Sequence, residues 1–279
     1  MLARAYDEPL TGTAPVAARW ACLEHRGPWP QDVDRHPDPA IAAFAARAVE
    51  AGWRFVLTRR PGRRRTGGRI RLLLADTTTA RAGVLVLDGS GELADVLLPG
   101  DAEPLPGTAV TDPPLLVCTH GRRDRCCALD GRVLAAALVE AGEPNVWECS
   151  HLGGHRFAPT ALVLPTGYLY GRLDVAGAIA ARKAAAAGEV EPSLCRGRST
   201  WSQAGQVAEL AVRRATGLRD AAVLRVSDAE TGAVVSHVDG RRWAVAVAAH
   251  DGPGPCSTSC GVAALPRTAL RVIDIRPLG

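Results

Sequence analysis

The stretch CTHGRRDRCCALDGRVLAAALVEAGEPNVWEC, Cys118 to Cys149, decides the fold prediction. It follows the apolar run PLLVC and contains a loop, a helical segment from about Asp124 to Ala141, and a second apolar run, NVWEC. A strand, a helix and a second strand in this order predict a βαβ unit with two parallel strands. The ends of parallel strands point the same way, and α/β folds usually place their functional sites there.

The loops that follow these two strands carry thiols and imidazoles. Cys118, Cys126 and Cys127 are three of the eight cysteines in the chain, and SHLGGHRFAP places His151 and His155 four residues apart just after the second strand. Neighbouring residues at a helix start point about 100° apart, so only one of the two adjacent cysteines is expected to bind the same ion as Cys118. The spacing does not decide which one.

Two glycines separate the histidines and suit a ligand loop. Gly153 and Gly154 let the backbone curl tightly and bring its N–H groups towards a metal or a sulfide. Such N–H donors to sulfur are one means by which proteins tune the potential of an iron-sulfur cluster.

Composition narrows the class of protein. The 279 residues are 47% hydrophobic, which excludes disorder, and a net charge of +4 in which Lys183 is the only lysine gives little support for nucleic acid binding. The first residues do not resemble a secretory signal, and the longest apolar stretch, Val133 to Val139, is far shorter than a membrane span. We therefore predict a cytoplasmic protein without membrane contact, in which clustered cysteines serve metal or redox chemistry.

The rest of the chain has the pattern of an α/β protein with short strands and few helices. Asp38 and Pro39 predict the start of a helix that ends before Gly52, and apolar runs on both sides of it predict strands. The proline-rich segment at residues 99–114 is the best candidate for a domain boundary. We find no internal repeat in the sequence.

CTHGRRDRCC followed by WECSHLGGHRFAPTALVLPTGYLYGRL closely resembles the sucrase/ferredoxin-like family of thioredoxin-like ferredoxins. The resemblance is dense over Leu115 to Leu173, and ARWACLEHRGPW resembles the opening strand of the family. It implies a 2Fe-2S cluster, an Arg-Asp pair at Arg123 and Asp124, and an unused Cys126. The implied ligands are Cys118, Cys127, His151 and His155.

The resemblance also implies an α/β fold with a thioredoxin-like ferredoxin domain and additional α/β regions at both ends. We place the N-terminal region at residues 1–105, the cluster region at 106–190 and the C-terminal region at 191–279. No pair of acidic motifs supports the glycosidase activity that the word sucrase suggests. We expect an electron carrier of bacterial type rather than a catalyst.

Two neutral imidazoles in place of two thiolates leave a cluster less negative and easier to reduce. Rieske centres with these ligands have potentials of roughly −150 to +300 mV, against about −400 mV for plant-type clusters. Because each imidazole keeps a ring N–H whose basicity follows the charge of the cluster, reduction is expected to take up protons near neutral pH.

Two other functions remain open. A structural Cys2His2 zinc site uses the same types of ligand, with all four on one ion. A thiol-based redox enzyme would use Cys126 or the pair Cys256 and Cys260 in CSTSC, although the chain contains no CxxC motif. His120 is expected to be a hydrogen-bonding loop residue. The remaining cysteines are predicted to be small core residues, and they are Cys22, Cys149 and Cys195.

The run RRPGRRRTGGRIR, Arg59 to Arg71, contains seven arginines and no acidic residue. A solvated hairpin tip explains it. A functional alternative is a docking surface for an acidic redox partner, since opposite charges steer the encounter of two proteins.

Overall fold

The computed structural model describes residues 8–62, 68–101, 103–252, 256–257, 264–265 and 268–278. The first part of the chain forms β1 (Arg19–Glu24), α1 (Pro39–Glu50), β2 (Trp53–Arg59), β3 (Ile70–Asp76), β4 (Arg81–Leu87) and β5 (Thr108–Ala109). The middle part forms β6 (Leu115–Cys118), α2 (Arg125–Glu140), β7 (Val146–Cys149), β8 (Ala161–Val163), β9 (Tyr168–Tyr170), α3 (Val175–Ala186) and β10 (Cys195–Arg198). The last part forms α4 (Gln203–Thr216), β11 (Leu224–Ala229), β12 (Gly232–His237), β13 (Arg242–Asp251), β14 (Cys256–Ser257), β15 (Ala264–Leu265) and β16 (Thr268–Leu278).

The strands form a large mixed sheet and smaller separate sheets, which confirms the α/β class. The large sheet has ten strands in the order β10-β9-β8-β6-β7-β2-β1-β3-β4-β5, and a second sheet has the order β11-β12-β13-β16. The large sheet is continuous across the predicted boundary between residues 105 and 106, and β10 also joins it. The division of the chain into three regions stays a prediction.

The predicted βαβ unit is present in the middle of the large sheet. β6 and β7 are parallel and are connected by α2, while β8 is antiparallel to β6 and β9 is antiparallel to β8. The order of strands in this unit is β9-β8-β6-β7, and α3 follows β9 in the chain.

The same arrangement occurs a second time in the first part of the chain. β1 and β2 are parallel and are connected by α1, β3 is antiparallel to β1, and β4 is antiparallel to β3. The two units meet where β2 and β7 pair in antiparallel register, Thr58 opposite Cys149. The fold therefore contains the same topology twice, although the sequence shows no internal repeat.

One short stretch of identical sequence occurs in both units. Both α1 and α2 end in Val-Glu-Ala-Gly, at residues 49–52 and 139–142. Gly52 and Gly142 have φ values of 76° and 71°, and each donates its backbone N–H to the valine three residues earlier. A positive φ favours glycine over residues with a Cβ, so the same residue ends both helices for the same reason.

Successive side chains of a strand point to opposite faces of the large sheet, so the sheet has an apolar cluster on each face. Leu115 and Val117 of β6 pack with α2 and α3 on one face, whereas Leu116 and Cys118 lie in the apolar cluster of the opposite face. α1 covers the first unit in the same way, and α4 packs on the second sheet. Burying each such aliphatic side chain stabilises the fold by about 1.5–3 kcal/mol. This packing fixes the ends of β6 and β7, where the ligand-type residues lie.

Candidate metal centre

The four predicted ligand residues lie where the parallel strands β6 and β7 end. Cys118 is the last residue of β6, Cys127 lies in the first turn of α2, and His151 and His155 follow β7. Both cysteines are buried with 1% of their surface exposed, and His155 is buried as well. The side chain of His151 is 25% exposed, so it is the most accessible of the four.

Three of these residues meet at one point. The sulfur atoms of Cys118 and Cys127 and a ring nitrogen of His151 all lie within 4.8 Å of one another. His155 and Cys126 are not part of this compact group. Cys126 is half-buried, in contrast to the buried Cys127.

Asp124 connects His155 to the group. One carboxylate oxygen, Oδ1, lies 3.3 Å from Nδ1 of His155, and the other, Oδ2, lies 3.5 Å from Nδ1 of His151. The carboxylate is 1% exposed. Asp124 occupies the N-cap position of α2, yet its side chain makes no capping hydrogen bond there, because it is turned towards the two histidines.

The local charges favour a thiolate at Cys118. A hydrogen bond from the Cys127 thiol holds the pKa of Cys118 well below its ordinary value, and although burial opposes this, His151 and the backbone N–H of His120 lower it further. The pKa of Cys127 is raised, because it donates to Cys118 and is buried. Burial lowers the pKa of His155, while Asp124 opposes that shift.

The glycines between the histidines adopt the tight turn that the sequence predicts. Gly153 and Gly154 have φ values of 85° and 75°, in the left-handed region. A Cβ atom added to Gly154 would overlap the guanidinium of Arg196. The Nη1 atom of Arg196 also donates to the carbonyl of Gly153 at 2.9 Å, so this arginine fixes the loop that carries the two histidines.

Arg196 is a residue that the sequence analysis missed. Its guanidinium is 1% exposed and its hydrogen bonds go to uncharged acceptors, the carbonyl of Gly153 and the hydroxyl and carbonyl of Thr13. Burial lowers its pKa to about 9, whereas negative charge on Cys118 and Cys127 opposes that shift. No spacing motif surrounds this position in the sequence. Arg196 is buried because its short strand packs against parts of the chain that are distant in the sequence.

A second arginine lies close to the thiols. The guanidinium of Arg54 is 5.3 Å from the ring centroid of Trp20, and burial lowers its pKa while Cys118 and Cys149 raise it. It lines a surface recess of about 370 Å³ together with His120 and His151. The accessible side of the candidate centre therefore opens into a recess whose wall carries charges of both signs, two arginines and two aspartates.

The other cysteines and His120 are not part of the compact group of donor atoms. Cys22, Cys149 and Cys195 are buried in apolar clusters, and burial raises the pKa of each thiol, that of Cys195 to about 12. His120 is buried, and its Nε2 donates to the carbonyl of Pro30 at 2.8 Å. This agrees with the prediction of a hydrogen-bonding loop residue. In CSTSC, Cys256 begins β14, whereas Cys260 lies outside the described residues.

Comparison with known protein families shows to which family the chain belongs. The family model of sucrase/ferredoxin-like proteins matches residues 10–197 of the 279 in the chain. The chain belongs to the sucrase/ferredoxin-like family. The match begins before β1 and ends inside β10, so it spans the large sheet and all four candidate ligands. No curated protein and no solved structure gives a significant match.

The part of this sucrase/ferredoxin-like chain that follows the family match forms α4 and the second sheet. Within the described ranges, every helix is too short or too polar to cross a membrane.

Proposed function

We propose that the protein is a one-electron carrier in which Cys118, Cys127, His151 and His155 hold a 2Fe-2S cluster. The observation that carries the proposal is the meeting of two thiol sulfurs and a His151 nitrogen within 4.8 Å, with His155 attached through Asp124. A bound cluster of this type supplies a one-electron redox couple.

The residues fit this cofactor by their chemistry. Two cysteines and two histidines form the ligand set of Rieske-type 2Fe-2S centres. A ring nitrogen of His151 lies within 4.8 Å of both thiol sulfurs, and Oδ2 of Asp124 lies 3.5 Å from its Nδ1.

The types of ligand determine the reduction potential that we expect for the cluster. His151 and His155 contribute no negative charge when neutral, unlike the two thiolates they replace. We therefore expect a potential nearer the Rieske range of roughly −150 to +300 mV than the value of about −400 mV typical of all-cysteine clusters.

Asp124 gives proton uptake a defined location. Its carboxylate faces Nδ1 of both histidines and stabilises a proton held there. Added negative charge at the centre makes these imidazoles more basic, so reduction is accompanied by protonation of a ring nitrogen. The expected signature is a potential that falls as pH rises through the pKa of the oxidised form.

The partner and its docking surface are also proposals. Of the arginines between Arg59 and Arg71, Arg59 binds Glu148 at 2.6 Å and Arg69 binds Asp88 at 2.8 Å. Residues 63–67 lie outside the described residues. An acidic redox partner that docks on this run would bind less tightly as salt increases, since exposed charges are screened over about 10 Å at 0.1 M. Binding that does not depend on salt would contradict this.

A Cys2His2 zinc site is the second candidate, because three donor atoms within 4.8 Å could also surround one ion. The two are separated by the visible spectrum and metal content of protein purified without oxygen. Two irons and two sulfides per chain, with a red-brown colour that dithionite bleaches, support the cluster. Colourless protein with one zinc per chain would contradict the cluster and support the zinc site. Metal-free protein with a reactive thiol would instead favour a thiol-based redox enzyme.

Adjacent residues provide matched controls for this experiment. Cys127→Ser should remove the iron, whereas Cys126→Ser should retain it, because only Cys127 belongs to the compact group. Equal loss of iron in the two variants would mean that the cysteine assignment is wrong.

A further inference from the structure

A cavity of about 230 Å³ opens on the face of the large sheet opposite α1 and α3. It lies between the two repeated units, and most of its lining is apolar. The apolar lining residues are Cys22, Leu73, Val84, Val110, Pro114, Leu116 and Trp147. Several of these side chains are only half-buried, so the cavity presents apolar surface that the described part of the chain leaves uncovered.

The rim of the cavity is held in place by hydrogen bonds. The indole Nε1 of Trp147 donates to Oδ1 of Asn145 at 2.9 Å, and Nδ2 of Asn145 donates to the carbonyl of Asp112 at 2.7 Å. Arg182 binds the carboxylate of Asp112 at 2.8 Å. A rim whose side chains are already fixed loses little conformational entropy when a ligand binds.

The mouth of the cavity carries positive charge. Arg71 is part of the lining, and the guanidinium of Arg60 lies 3.9 Å from the ring centroid of Trp147. The pKa of Arg60 is lowered first by burial and then by the charge of Arg71, in keeping with two guanidinium groups near the same mouth.

The two carboxylates near these arginines, one of which, Asp112, also lines the cavity, have other ion-pair partners. Glu24 and Asp112 act on Arg60, but Glu24 is paired with Arg26 and Asp112 with Arg182. Arg71 forms no ion pair with the described residues. An anion at the mouth would therefore be attracted by Arg71, which lines the cavity, and by Arg60, which lies against the ring of Trp147.

We propose that this cavity binds a small apolar molecule that carries one anionic group, such as an aromatic carboxylate or sulfonate. Apolar walls with a few fixed polar groups at the rim are the usual features of small-molecule sites. The apolar body would pack against Leu73, Leu116 and Trp147, and the anion would lie between Arg60 and Arg71. Leu116 precedes Cys118 by two residues on β6, so the ligand would lie about 7 Å along the strand from that thiol. The proposal does not depend on the nature of the metal centre.

The test is fluorescence titration of the full chain with 8-anilinonaphthalene-1-sulfonate, which combines apolar rings with one sulfonate. We expect saturable binding of one probe per chain. Val84→Trp fills the cavity and should weaken binding at least tenfold, with Val110→Phe as a second filling variant if the first does not fold. Absence of saturable binding, or unchanged binding by a folded filling variant, would overturn the proposal.

The charge is tested with a neutral analogue. Arg71→Gln should weaken binding of the sulfonate by about threefold to fivefold, the value of a partly exposed ion pair, and should leave binding of uncharged N-phenyl-1-naphthylamine unchanged. Arg81→Gln, at the far end of the same hairpin, is the matched control and should bind both probes like the natural chain. Equal weakening of both probes by Arg71→Gln would overturn the assignment of an anionic ligand.

Discussion

Nδ1 of His155 lies 3.3 Å from Oδ1 of Asp124, a carboxylate that is almost completely buried. The second oxygen of the same carboxylate faces His151. One acidic side chain thus orients both candidate histidine ligands and places a negative charge beside them. In metal sites such a carboxylate fixes the ring orientation of the ligating histidine and raises its basicity.

Asp124→Asn keeps the shape of this side chain and removes its charge. Loss of a negative charge beside the centre should raise the reduction potential, and weaker orientation of the histidines should reduce metal affinity by about 10-fold to 100-fold. Redox titration and iron retention against a chelator measure the two effects. Asp130→Asn on the same helix is the matched control, and equal effects in both variants would show that Asp124 has no special role.

His155→Cys tests the candidate ligand that lies outside the compact group of three donors. A thiolate at this position adds negative charge, so the potential should fall towards the value of about −400 mV of all-cysteine clusters, and its pH dependence should flatten. His120→Cys is the control, because the His120 ring is committed to the carbonyl of Pro30. An unchanged potential in His155→Cys would reject His155 as a ligand.

The sequence predicts the local part of the site well. Cys118, Cys127 and the histidines belong to one strand-helix-strand segment, so their approach follows from the parallel pairing of β6 and β7. The start of α1 at Asp38 was equally predictable, because Asp38 accepts the backbone N–H of Ala40 as an N-cap should.

Contacts between distant parts of the chain were not predictable in this way. Arg196 binds Thr13 across 183 positions of sequence, and β2 meets β7 through only two residue pairs. Such contacts depend on how whole units pack, and no periodicity within either segment reports them. The repeated unit was missed for the same reason, since four shared residues at two helix ends are its clearest trace in the sequence.

Gly154→Ala tests the turn between the histidines. Its φ of 75° is unfavourable for alanine by about 1–2 kcal/mol, and the added methyl group would also overlap Arg196. Gly188 has the same φ of 75° with open space around it, so Gly188→Ala measures the backbone strain without the overlap. Chemical denaturation should show a greater loss of stability for Gly154→Ala, by about 1–3 kcal/mol of overpacking. Equal losses would mean that the guanidinium moves aside at no cost.

Arg196 is expected to act on the centre in two ways, and two substitutions separate them. Arg196→Gln removes the charge and most of the hydrogen bonds to Thr13 and Gly153, whereas Arg196→Lys keeps the charge but loses the planar fork. Both should lower the free energy of unfolding by about 1–3 kcal/mol, because buried carbonyls lose their donors.

The reduction potential distinguishes these two variants. A positive charge near the thiols favours the more negative, reduced state, so Arg196→Gln should lower the potential while Arg196→Lys leaves it nearly unchanged. This shift is opposite in sign to that expected for Asp124→Asn, because the two side chains carry opposite charges. If Arg196→Gln and Arg196→Lys change the potential equally, the arginine acts only by holding the loop, and its charge has no influence on the centre.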